Sequence, residues 1–207
     1  MARPVDARLI VEGELVCLTP VRVGGMHAEL GVDLGLAENG RGEWYIPGTS
    51  LAGLARRVTG EAYGEKIANA LWGSAGAEGG RASLASVADA VVKRPPNAIP
   101  ELRDGVAIDR FSGAAAHGVK YDQLVLPRGS RIPFYLEVEL AAQDGIDART
   151  LEEATGHLVQ ALAADDGVRL GAGKTRGLGR VRLDRESLRV RRQDLSSREG
   201  ILEVLEL

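Results

Sequence analysis

The chain has 207 residues, 44% of them hydrophobic and 27% charged, with a formal net charge of −3, the balance of a globular protein with ample core. No run of about eighteen apolar residues is present, which argues against a transmembrane helix or a membrane partner, and the opening MARPVDARLIVEGELV has no signal-peptide core. Cys17 is the only cysteine, so an intrachain disulfide and a cysteine metal cage are excluded, and the whole pattern predicts a cytoplasmic protein.

In chain order, Ala7 to Pro20 alternates with the two-residue period of a half-buried strand, and Cys17 within it reads as a small buried hydrophobe. The glycine-rich stretch to Trp44 reads as a loop. Ser50 is expected to cap a helix beginning at Leu51, with Leu54, Ala55 and Val58 at helical spacing. A second short helix, EKIANALWG, is expected to end at Gly73. Residues 82–92 read as a strand, and KRPPNAIPELRDG, with three prolines, as a connecting loop. Two extended arms around a small-residue tip predict a projecting hairpin over about 106–126. IPFYLEVEL is a clear strand, and residues 148–167 form the strongest helical pattern, with Leu151, Ala154, Leu158, Val159 and Leu162 on one face. A glycine-rich loop, 171–179, then leads into one alternating segment, GRVRLDRESLRVRR. With no linker or repeat, residues 1–207 read as a single α+β domain, ferredoxin-like in its order of elements.

The glycine-rich loop decides the class of ligand. The run GAGKT, Gly171 to Thr175, resembles a nucleotide phosphate loop, but the first glycine of that pattern falls on Val168. A helix is expected before the run, and RGLGRVRL after it is a poor helix start, so ATP hydrolysis is excluded. Phosphate chemistry survives that exclusion. Gly171, Gly173, Gly177 and Gly179 are expected to leave backbone N–H groups uncovered, Lys174, Arg176 and Arg180 add charge, and Thr175 stands in the same loop. Residues 169–192 hold nine basic side chains against Asp184 and Glu186 alone, a local charge of roughly +7 within an acidic chain. Such a loop suits the backbone of a nucleic acid.

Four motifs now stand in one order: TPVRVGG (19–25), YIPGTSLAGLAR (45–56), AIDR (107–110) followed by LPRGSR, and GAGKTRGLGRV. Together they resemble the RAMP superfamily, the RNA-binding proteins of CRISPR systems, and most closely the repeated backbone subunit of type III (Csm/Cmr-type) interference complexes. The resemblance implies an RRM-like palm with a projecting thumb hairpin, stacked head to tail with copies of itself and other type III effector subunits along a CRISPR RNA. The thumb is expected to wedge between bases of the duplex with complementary target RNA, with Ile108 and Phe111 as the candidate apolar wedge. It further implies guide contacts from Arg22, Gly24, Gly25, Ser50 and Arg56. Cleavage of the target would depend on an aspartate after the first strand, here Asp33, and on a divalent metal, Mg2+, held there.

Bottom-up chemistry is compatible with that role. RNA carries its own nucleophile, the 2′-hydroxyl, and one carboxylate can position a metal or move a proton. Two departures stand out: Arg22 replaces the usual histidine, and Ala52 replaces a usual lysine, leaving Arg56 with Arg57 as support. His27 is a weaker candidate acid or base, while His117 and His157 read as structural or exposed, and Asp109 and Arg110 as a local pair. The alternatives are a purely RNA-binding subunit of the same complex and an endonuclease that processes CRISPR RNA precursors.

Overall fold

The computed structural model describes residues 4–24, 32–76 and 79–205. Strand β1 (Ala7–Cys17) alternates as expected, with Ala7, Leu9, Val11, Leu15 and Cys17 buried under the helices. Burial pushes the Cys17 thiol up to about 12, so it behaves as a small apolar side chain. The short β2 (Tyr45–Ile46) precedes α1 (Gly48–Trp72). Where two helices are predicted, one helical run is broken at Gly64, whose φ of 79° lies outside the helical region. The second limb folds back on the first, and Trp72 Nε1 donates to Thr59 Oγ1 at 3.2 Å. Ser50 is not the cap: the helix starts at Gly48, whose N–H donates to Asp89 Oδ1 at 2.6 Å.

The predicted strand at 82–92 divides into β3 (Ala85–Val87) and β4 (Ala90–Val91), which enter different sheets because the chain turns at Asp89 to meet α1. Strands β5 (Glu101–Ile108) and β6 (Ala115–Val125) form the projecting hairpin as a separate two-stranded sheet. It starts earlier than predicted, since residues 101–105, expected in a loop, are strand. Leu102, Val106 and Ile108 are exposed along it, so no in–out alternation marks the arm in the sequence.

Strand β7 (Arg131–Leu140) follows, then α2 (Ala148–Leu162), capped by Asp147 accepting from the Thr150 N–H at 2.7 Å. Helix α2 ends short of the predicted Gly167. A two-residue strand β8 (Val168–Arg169), a 3-10 turn (Lys174–Arg176) and β9 (Arg180–Leu183) come next. The single alternating segment expected here is interrupted: β9 gives way to a turn before β10 (Arg189–Asp194), and α3 (Arg198–Val204), which no periodicity announced, follows.

The main sheet runs β3-β7-β1-β9-β8, with β10 also paired to β1, and its pairings are antiparallel. Strand β9 pairs with β1 at Leu15–Cys17 and β10 with β1 at Ala7–Glu12, so together they form one interrupted strand beside β1, with the short β8 outside β9. Leaving aside the short β8, the four positions β3, β7, β1 and β9 with β10 follow the ferredoxin-like order, with α1 and α2 on one face. Leu51, Leu54 and Leu71 of α1 and Leu151 and Leu158 of α2 pack there against Val11, Leu15 and Leu136. Among the described residues no helix is long and apolar enough to cross a membrane.

Candidate nucleic-acid interface

The glycine-rich loop is the turn of the β8–β9 hairpin. Val168 pairs with Val181 and Arg169 with Arg180, and the Leu170 N–H donates to the Gly179 carbonyl at 2.8 Å, closing residues 171–178 into a loop. Buried Leu170 and Leu178 anchor it, while Lys174, Thr175, Arg176 and Gly177 are exposed. Gly171, at φ 76°, is pressed so closely to the Arg22 carbonyl that a Cβ would collide with it, and the next N–H, Ala172, donates to that carbonyl at 2.8 Å. Arg169 does not face outward. Its Nη1 donates to the Lys174 carbonyl at 2.7 Å and the Leu178 carbonyl at 3.1 Å, so one guanidinium braces the loop from within. A lone 3-10 turn follows the lysine in place of a helix, which removes the helix N-terminus a nucleotide phosphate loop requires.

The loop faces the first turn of α1. Between them lies a cleft of about 320 Å3 lined by Thr49, Ser50, Gly53, Arg169, Gly171 and Lys174. Two motifs more than a hundred residues apart in the chain thus share one wall-to-wall groove: a hydroxyl pair in the first helical turn opposes a glycine backbone and a lysine. Positive charge from a helix N-terminus and from Lys174 favours an anion there.

Arg56 is not brought to this groove. Its Nη1 donates to the Gly73 carbonyl at 2.5 Å and its Nη2 to Asn69 Oδ1, which ties the two limbs of α1 together. Arg57 reaches the loop instead: its Nη1 pairs with Glu61 at 2.8 Å and its Nη2 approaches the Arg169 carbonyl at 3.4 Å.

A second group assembles at the base of the hairpin. There β6 is flanked by two segments, since Val21 bridges Leu126 and Leu34 bridges Gln123. Asp33 Oδ2 accepts the Asp122 N–H at 2.9 Å, so the exposed carboxylate is fixed to the thumb strand. One residue earlier, the Tyr121 hydroxyl accepts from Arg176 Nη1 at 2.6 Å. Arg22 folds over Gly24, and its buried Nε has no partner among the described residues. Burial lowers the Arg22 pKa from its ordinary value, and the Arg176 charge nearby pushes the same way while Tyr121 opposes it. Two guanidiniums held near each other, neither in an ion pair with a described carboxylate, make an anion seat.

Among the described residues no three His, Cys, Asp or Glu side chains gather into a metal-holding group. Gly25 and His27 lie outside the described residues, as does the His117 side chain. His157, expected to be structural or exposed, is exposed on α2, and its ring meets Tyr63 edge-on at 5.6 Å between centroids.

At the hairpin tip Phe111 is fully exposed and Ile108 more than half exposed. Asp109 is not paired with Arg110. Its Oδ1 accepts from the Phe111 N–H at 3.1 Å, the Ser112 N–H at 2.7 Å and the Ser112 hydroxyl at 2.9 Å, and these bonds, those of Ser112 first, hold its carboxyl below the usual range. The aspartate therefore shapes the tip that displays Phe111.

Sequence reading missed Tyr121, Asp122 and the bracing role of Arg169. The available signal for Tyr121 was an aromatic residue facing a glycine, Gly105, across a hairpin. A family model described as the RAMP superfamily matches residues 14–182. No curated protein matches the chain at a significant level.

Proposed function

The chain belongs to the RAMP superfamily, and on that footing we propose that it is an RNA-binding backbone subunit of a type III CRISPR interference complex that also cleaves bound target RNA. The family makes it a CRISPR-associated RNA-binding protein; the rest of the reading is supported by one juxtaposition. Arg176 of the glycine loop and the Asp33 carboxylate meet adjacent residues of β6, Tyr121 and Asp122, while Lys174 of the same loop shares a cleft with the first turn of α1.

In this reading Gly171, Gly173, Lys174, Thr175, Arg176 and Gly177, with Arg22, Gly24, Gly25 and Ser50, follow the sugar-phosphate rail of CRISPR RNA. The thumb tip, with Ile108 and Phe111, enters the guide–target duplex and splays a base step. At the splayed nucleotide the 2′-hydroxyl attacks the adjacent phosphorus and the bond to the next 5′-oxygen breaks. The products are a 2′,3′-cyclic phosphate and a free 5′-hydroxyl. In this reading Asp33 is the base or the metal-positioning carboxylate.

A single carboxylate fits a Mg2+ held largely by substrate phosphate oxygens and water, and does not fit an all-protein cage. Asp33 would hold the ion, which supplies charge stabilisation at the phosphate. Partners are CRISPR RNA, complementary target RNA, other type III subunits and further copies of this chain, since a head-to-tail contact leaves open ends.

The test is Asp33→Ala in the RNA-loaded complex. Loss of target cleavage with guide binding intact is expected. Undiminished cleavage removes Asp33 from the chemistry. That Asp33 belongs to no group of three metal-type ligands among the described residues favours one second reading, a subunit that binds without cutting, and a wild-type complex that holds target RNA uncut with Mg2+ present is its signature. Metal-free cutting of a precursor repeat RNA would instead indicate a processing endonuclease.

A further inference from the structure

Tyr121 has no role in the proposed function, yet it joins the glycine loop to the strand that holds Asp33. It stands on β6 directly opposite Gly105 of β5. A Cβ at position 105 would collide with the Tyr121 ring, so only glycine there lets the ring lie flat across the partner strand. The ring is thereby fixed, and its hydroxyl accepts from Arg176 of the glycine loop at 2.6 Å. The next backbone N–H along the same strand, that of Asp122, donates to Asp33 Oδ2 at 2.9 Å. Leu34 adds backbone bonds on the same side, from its N–H to the Asp122 carbonyl and from the Leu124 N–H to its own carbonyl, each 3.0 Å.

We propose that Tyr121 is a positioning residue: it ties the phosphate-gripping loop to the strand that holds Asp33, so that a rigid ladder sets the spacing between phosphate seat and carboxylate. The inference rests on the RNA-cleavage reading and adds the device that keeps its geometry. An arginine on a glycine-rich loop sweeps a wide arc when unrestrained. Tied to a ring seated on Gly105, it is confined to one arc beside Arg22, and RNA gripped by the loop is brought into register with the thumb. Misplacement of reacting groups by about 1 Å costs on the order of a hundredfold in rate, whereas phosphate affinity, summed over several contacts, tolerates it.

Tyr121→Phe keeps the ring on Gly105 and removes only the hydroxyl. In the RNA-loaded complex we expect guide affinity and melting temperature close to wild type, single-turnover target cleavage slower by roughly ten- to a hundredfold, and cuts spread over neighbouring phosphates. Cleavage at the wild-type rate and position overturns the proposal, as does a loss of guide affinity as large as the loss of rate. Asp33→Ala run in parallel separates the two claims. If wild type and Asp33→Ala cleave alike, the cleavage reading fails, and backbone hydrogen exchange in RNA-free protein decides the tie. Faster exchange across residues 171–178 in Tyr121→Phe supports it, and equal exchange overturns it.

Discussion

At the scale of single residues, the interface depends on backbone that only glycine tolerates, and the glycines of one loop are not equivalent. Gly177 sits at φ 84° with open space around it, while Gly171 has a similar φ and the Arg22 carbonyl against it. Alanine at 177 meets only the left-handed backbone penalty, about 1–2 kcal/mol. Alanine at 171 adds a collision with a backbone that also accepts the Ala172 N–H. We therefore expect Gly171→Ala to lower the urea midpoint clearly more than Gly177→Ala; equal midpoints would mean that Arg22 and its loop yield freely. A second residue-scale lesson concerns arginines. Arg22, Arg56, Arg169 and Arg176 look alike in a sequence, but Arg56 and Arg169 spend their donors on carbonyls of their own fold. Which arginines remain for RNA is a matter of which carbonyl ends lie within reach, and spacing does not encode that.

At the scale of elements, the kinked α1 depends on Arg56. Its bonds to Gly73 and Asn69 are charge-assisted and half-buried, so Arg56→Ala is expected to cost about 1–3 kcal/mol while leaving the RNA affinity of the folded protein unchanged. Chemical denaturation paired with RNA titration checks both, and weaker RNA binding at full stability would return Arg56 to the interface. The outer sheet face carries a different kind of tie. Glu14 of β1 accepts from Lys93 at 2.8 Å and from Arg131 of β7 at 2.9 Å, and Arg131 also reaches Asp184 at 2.8 Å. The Lys93 bond chiefly lowers the Glu14 pKa against the cost of burial, and the Arg131 bond lowers that of Asp184. A carboxylate with a depressed folded pKa contributes stability above its unfolded pKa and loses it as pH falls through the folded value. Melting temperature should thus fall below about pH 4, less steeply in Glu14→Gln, and thermal melts across pH 3–7 measure it. These element-level features were only partly legible. β1, β7 and α2 each bury one periodic face and were read directly. The base of β5 was missed because both faces of a thumb meet solvent. The break between β9 and β10 was missed because alternation continues through a turn that sits opposite Gly13 and Glu14, where Ser187 Oγ accepts the Glu14 N–H at 2.9 Å.

At the scale of the whole molecule, a net charge of −3 coexists with a basic groove, and on the proposed function RNA binding would be governed by the groove. With Arg22, Lys174 and Arg176 neutralising about three phosphates, the slope of log K against log salt for single-stranded guide RNA should be about −2. A filter-binding series across salt concentrations measures it, and a flat response would contradict backbone gripping. By itself the sequence determined the ferredoxin-like α+β class, the family motifs in their order, the projecting hairpin and the glycine-rich, basic character of the loop at 171–179. Each of these is written locally, in periodicity or in glycine and charge spacing. Only tertiary structure decided that the loop is a hairpin turn facing the start of α1, that Arg56 turns inward, and that Tyr121 and Asp122 link Arg176 to Asp33. Those relations reach across more than a hundred positions of chain, as between α1 and the Arg169 loop, through contacts whose partners are chosen by the packing of the fold, and no local pattern specifies a partner that folding alone brings near.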